Sequence, residues 1–84
     1  MNQSLKRFVY RRGSVKQAEF LAELGGMNTD ETSVFLMLHD GKDDQYIQDM
    51  LCISRSAYEL IEESVRAKLL LAVFECINYT RDNM

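Results

Sequence analysis

The sequence predicts an all-α chain, and three observations carry that expectation. There is no proline in 84 residues, and few residues favour extended sheet. Apolar residues recur at three- and four-residue spacing over most of the chain. The recurrences begin at capping residues and end at glycines or tight turns. The predicted architecture is a small helical domain. A trihelical helix-turn-helix core spans 27–69, preceded by an N-terminal helix and followed by a long C-terminal helix. Residues 1–13 form a basic arm, and 14–84 a single helical domain.

Each element has a local cause. Ser14 and Gln17 have the spacing of a capping box, in which hydroxyl and amide satisfy free backbone groups at a helix start. Val15, Ala18, Leu21 and Leu24 then make one apolar face, widened by Phe20, and Gly25-Gly26 ends the run. Asn28 and Glu31 repeat the capping pattern. The helix after them sets Val34, Leu38 and either Phe35 or Met37 on one face and stops around Gly41. Asp43 or Asp44 caps a short helix with Ile47, Met50 and Leu51 on its apolar side, and Cys52-Ile53 turns the chain. Ser54 caps the last helix, which points Tyr58, Ile61, Val65 and Leu69 inward. Two helices so closely joined must cross at a large angle. Before Ser14, Phe8-Val9-Tyr10 has strand propensity, but a lone strand has nothing in this chain to pair with.

Size and composition narrow the possible functions. Eighty-four residues make one domain with a modest core. The chain is 46% hydrophobic and 27% charged, as in ordinary globular proteins. The longest apolar run, Leu69 to Phe74, is far too short to span a bilayer, so no membrane association is expected. No secretory leader pattern opens the chain, so a cytoplasmic location is expected. Cys52 and Cys76 lie in apolar stretches and are expected to be buried free thiols. His39 falls in the last turn of a helix, where a partial positive charge suits the dipole. No histidine neighbours a nucleophile, and there is neither a glycine-rich phosphate loop nor a metal-ligand spacing. No catalysis, cofactor or metal is expected. The acidic pairs Asp43-Asp44 and Glu62-Glu63 read as a helix cap and a solvated helix face.

Charge is segregated. Residues 1–16 carry Lys6, Arg7, Arg11, Arg12 and Lys16 with no acid, a net of +5. The remainder holds five basic and thirteen acidic residues, a net of −8, which together gives −3. Such an arm can contact phosphate, or dock on the acidic body of its own or a neighbouring subunit.

Over 27–69 the chain resembles the DNA-binding module of LuxR-type response regulators, related to region 4 of sigma factors. The resemblance runs without a gap over about half the chain. It rests on Val34 and Leu38, Gly41 at the turn, Ile47 and Leu51, Ile53-Ser54 before the last helix, and Val65 with Lys68-Leu69. It implies that this last helix enters the major groove of duplex DNA by its N-terminal end. Arg55, Ser56 and Glu59 would then face the bases, with Ser54 also at the DNA-binding end of the helix and Arg55 suited to a two-pronged contact with guanine. Lys42, Gln45, Arg66, and Arg11 and Arg12 of the arm would hold phosphates. The departures fall on the same helix. Where such modules carry threonine, valine, lysine and histidine, this chain has Ala57, Tyr58, Glu59 and Ile61. Tyr58 can fill the valine's core position with its hydroxyl at the surface. Glu59, Glu62 and Glu63 remove much of the electrostatic attraction to DNA.

After Leu69 no helix breaker occurs where those modules turn into a separate helix. Residues Leu70 to Tyr79 can continue the same helix, apolar on more than one face, and so need cover on several sides. A symmetric homodimer through Leu70, Val73, Phe74, Ile77 and Tyr79 would supply it and could set two recognition helices at half-site spacing. Folding the N-terminal helix back over the same surface is the alternative. Two functions therefore stand. One is a small dimeric DNA-binding regulator of the bacterial cytoplasm. The other is an adaptor on the same scaffold that binds a protein of the transcription machinery through an acidic recognition helix.

Overall fold

The computed structural model describes residues 10, 11 and 13–82, with side chains to Asn78. Four helices form among them: α1 (Val15–Leu24), α2 (Thr29–His39), α3 (Asp44–Leu51) and α4 (Arg55–Asp82). No strand occurs among the described residues. The chain is a small all-α domain.

The caps fall where side-chain chemistry places them. The Gln17 amide N–H donates to Ser14 Oγ at 3.2 Å, and the Ser14 N–H donates back to Gln17 Oε1 at 2.8 Å. Asn28 and Glu31 reproduce this pair at 2.8 and 2.9 Å. Asp43, not Asp44, caps α3, accepting from the Tyr46 N–H at 2.8 Å. At the C-terminal end of α1, Met27 N–H reaches Ala22 O at 2.9 Å and Gly26 N–H reaches Glu23 O at 3.1 Å. This closure needs the left-handed angles of Gly26, φ 72°. Gly41, φ 88°, closes α2 in the same way.

Helices α1, α2 and α4 pack on one another pairwise. The short α3 joins them through Ile47, which has no exposed surface. The core contains Val34, Phe35, Leu38, Tyr58, Val65 and Leu69. Burying side chains of this size stabilises by about 1.5–3 kcal/mol each before chain entropy is charged against it.

Three expectations are corrected here. On α1 the buried residues are Ala18 and Ala22, while Val15, Phe20 and Leu24 are exposed. Small side chains let α1 lie close to its neighbours, and Gly25 continues the approach. A β-carbon at Gly25 would stand 2.5 Å from the Lys68 carbonyl oxygen of α4. Second, Tyr10 is helical and buried, its ring edge-on to Phe35 with centroids 6.2 Å apart. A residue assigned to the basic arm thus belongs to the core; Phe8 and Val9 lie outside the described residues. Third, Cys52 is exposed and Cys76 half-buried. Cys52 ends α3 in the left-handed region at φ 54°, because α4 begins only three residues on and the chain must reverse at once.

Helix α4 sets the length of the molecule. Its 28 residues span about 42 Å at 1.5 Å per residue, close to the 44 Å long dimension of the chain. It runs through Leu69 without a break, as the lack of a breaker predicts.

The acidic face of helices α3 and α4

Ser54 starts α4, its hydroxyl accepting from the Ala57 N–H at 3.1 Å. A three-residue connection thus fixes where α4 points relative to α3 and sets Arg55 and Ser56 in solvent at its first turn. Arg55 is held by its own helix: Nε donates to Glu59 Oε1 at 3.1 Å, one turn on, with both side chains well exposed at 83% and 62%.

The other expected phosphate contacts are similarly engaged. Lys42 Nζ lies 3.5 Å from Asp40 Oδ2 and 5.1 Å from the centre of the Tyr46 ring. The Gln45 side-chain amide donates to Asp49 Oδ1 at 2.9 Å. Arg66 Nη2 is 3.3 Å from Glu62 Oε2. Arg11 is exposed, its guanidinium lying against the Gly41 turn, where a β-carbon would meet it at 3.1 Å. Arg12 lies outside the described residues.

Two positions differ from expectation. Glu62 is not on a solvated face: it is 6% exposed, because the helical step that buries Tyr58 and Val65 carries residue 62 inward as well. The Tyr58 hydroxyl does not reach the surface. It donates to Asp44 Oδ1 at 2.8 Å across the α3–α4 junction. Burial first, and then that bond to Asp44, push the Tyr58 phenol well above its ordinary range, so it remains a donor. Tyr10 shifts the same way, through burial and then the charge of Glu62.

Between α3 and α4 lies an open cleft of about 580 Å³, lined by Asp44, Glu59, Glu62 and Glu63 against Arg55 and Arg66. Its walls are polar and carry more acid than base. Residues 27–69 as a whole contain four basic and nine acidic residues, a net of −5. All four cations, Lys42, Arg55, Arg66 and Lys68, have a carboxylate within salt-bridge distance.

Two further residues bear on this face and its support. Leu60 is among the most exposed large apolar residues, on the outer face of α4 next to Glu59 and Glu63. Stepping from Tyr58, Ile61 and Val65 around the helix would have placed it there. Glu31, 4% exposed, is the second. Besides capping α2 it accepts from Lys68 Nζ at 2.6 Å and from the Ser64 hydroxyl, tying α2 to α4. No spacing signal joins residues more than thirty positions apart.

Farther along α4, Leu70, Val73, Phe74 and Ile77 are exposed, Leu70 and Phe74 at 72% and 61%. Helix α1 packs on α4 but leaves these side chains in solvent, so α1 does not cover this surface. The Tyr79 side chain lies outside the described residues. Among the described residues no helix is long and apolar enough to cross a membrane. Comparison with family models, curated proteins and solved structures returns no match for this chain.

Proposed function

We propose that the chain is a helix-turn-helix adaptor that binds a basic polypeptide through the acidic face of α3 and α4. The observation that carries this reading is the state of the cations. Every basic side chain in 27–69 has a carboxylate partner, and the surplus acid faces the cleft and the outer side of α4. Duplex DNA presented to this face would meet Glu59 and Glu63 where its phosphates need positive charge. A lysine- or arginine-rich segment would meet complementary charge, which speeds encounter and selects partners. The exposed Leu60, one turn before Glu63 on the adjoining side of α4, adds an apolar contact of the kind found at protein interfaces. Resemblance to transcription-factor modules makes a protein of the transcription machinery the favoured partner class.

Direct DNA binding is the second reading, favoured by Arg55. It stands beside Ser56 at the solvent-facing start of the helix that follows the turn. An exposed ion pair such as Arg55–Glu59 is worth only about 0–1 kcal/mol, so Arg55 is free to exchange Glu59 for guanine at little cost. In this reading Ser56 and Glu59 also face bases, with Ser54 beside them at the DNA, and Lys42, Gln45, Arg66 and the arm approach phosphates.

One titration separates the two readings. Amide shifts are followed by NMR while an arginine-rich peptide, and separately a random-sequence duplex, is added at low and physiological salt. Shifts over Asp44 to Arg66 with the peptide, lost when Glu59 and Glu63 become glutamine, support the adaptor. Shifts with the duplex that fade with salt and vanish in Arg55→Ala establish the DNA reading instead.

A further inference from the structure

Helix α4 has two apolar faces on opposite sides. The inner one, with Tyr58, Val65, Leu69 and Ala72, is buried in the chain's own core. On the outer one Leu60, Ala67 and Phe74 recur every seventh residue, and Glu63, Leu70 and Ile77 follow each by three. All six are exposed, and Leu71 and Val73 flank the stripe in solvent. This is the spacing of a helix–helix seam, the same side facing outward turn after turn.

We infer that residues 67–77 of α4 pair with the same stripe of a second copy of this chain, the two helices running antiparallel. Three observations select this occupant and orientation. The first is size: the exposed apolar side chains from Ala67 to Ile77 amount to roughly 500 Å² per copy, so a symmetric pair that covers them reaches roughly 1,000 Å², the threshold for a specific interface. The second is shape. An antiparallel pair centred near Ala72 sets the smallest seam residue, Ala67, against the partner's Ile77, and Leu70 against the partner's Phe74. Small meets large in each layer, as interdigitation requires. The third is charge. A parallel pair would stack each Glu63 on its copy at the margin of an apolar seam, where like charges are costly, whereas the antiparallel pair sends the two to opposite ends.

The geometry bears on function. In an antiparallel pair the two Arg55 ends point away from each other, about 50 Å apart along the helix axis at 1.5 Å per residue. Adjacent half-sites of a palindromic operator lie about 34–36 Å apart. The pair therefore does not present two recognition helices to neighbouring major grooves on one side of a duplex. It leaves the first turns of α4, with Arg55 and Glu59, uncovered at both ends, suited to a bivalent adaptor. The pairing itself does not rest on the adaptor reading, since it uses a different stretch of α4.

Sedimentation equilibrium and cysteine crosslinking test it. The wild type is expected to approach about 20 kDa, twice the 9.8 kDa chain, as concentration rises. Phe74→Glu should remain at the chain mass with unchanged helical circular dichroism. In a Cys52→Ser/Cys76→Ser background, Ala67→Cys and Ile77→Cys should each fail to crosslink alone and should crosslink when mixed. A wild type that stays monomeric at every concentration would overturn the pairing. Ala67→Cys crosslinking to itself would overturn the antiparallel arrangement.

Discussion

Lys68 Nζ of α4 lies 2.6 Å from Glu31 Oε1 of α2, and the same ammonium reaches the Gly26 carbonyl at 3.3 Å. One cation thus joins the first turn of α2, the end of α1 and the middle of α4. Glu31 is buried and also accepts from the Asn28 N–H and the Ser64 hydroxyl. Removing Lys68 leaves a buried carboxylate with no counter-charge. Lys68→Met should cost about 2–3 kcal/mol, an amount typical of breaking a charged hydrogen bond in the interior. Urea denaturation at neutral pH measures it.

The same site gives the chain an acid limit. The Asn28 N–H first, then Lys68 and Ser64, lower the Glu31 carboxyl from an ordinary 4.5 to about 2. A carboxyl more acidic folded than unfolded stabilises the fold fully above its unfolded value and loses that contribution as pH falls toward its folded one. Stability should therefore decline from about pH 4.5 toward pH 2. Glu31→Gln should be less stable at pH 7 and flatter over that window. Denaturant midpoints at a series of pH values compare the two.

Much of this fold was legible because its determinants are local. Both capping boxes, the two glycine closures and the unbroken run through Leu69 follow from residues within a few positions of each other. Periodicity misplaces the α1 face because it treats Val15, Ala18, Leu21 and Leu24 alike. Only tertiary packing decides that the alanines go inside, where Gly25 meets the Lys68 backbone. The burial of Glu62 and the Glu31–Lys68 bond depend on which helices become neighbours, so charge patterns alone place those residues on the surface. For the candidate site, the residues at the start of α4 could be named from the resemblance. Arg55–Glu59 and Arg66–Glu62 also have the four-residue spacing of helical ion pairs, and Lys42–Asp40 is local, so only the Lys68–Glu31 pair depends on tertiary packing.

Two adjacent glycines should respond differently to the same change. At Gly25, φ −80°, an added methyl needs no unusual angle but falls 2.5 Å from the Lys68 carbonyl oxygen and 3.2 Å from that of Leu21. Backbone cannot step aside as a side chain can, so Gly25→Ala should cost about 2–3 kcal/mol through overpacking. At Gly26 nothing lies within 4 Å of an added β-carbon, and only the positive φ opposes it, so Gly26→Ala should cost about 1 kcal/mol. The larger loss is thus expected at the glycine with ordinary angles, and thermal melts of the two variants rank them.

Cys52 offers the opposite experiment. It holds φ 54° in the connection between α3 and α4, where helix-turn-helix units often place glycine. Its side chain is exposed, so little packing is lost on removal. Cys52→Gly should raise stability by about 1 kcal/mol by relieving the left-handed strain. The measurement is the denaturation midpoint under reducing conditions, which keeps thiol oxidation from contributing.

Reversing charge on the outer face of α4 tests whether the scaffold can still dock in a groove. Glu59 and Glu63 lie one turn apart, both exposed, and Glu59 holds Arg55. In Glu59→Lys/Glu63→Lys the face gains two cations and loses two anions, and Arg55 is released. Each cation that contacts a phosphate steepens the fall of log affinity with log salt by about 0.9. The double variant should therefore bind random-sequence duplex DNA at low salt with a slope of about −2 or steeper, while the parent gives little binding. Fluorescence anisotropy across a salt series measures both slopes. Equal slopes for variant and parent would mean that this face does not approach the duplex even when its charge permits, and the groove-docking geometry drawn from the resemblance would fail with it.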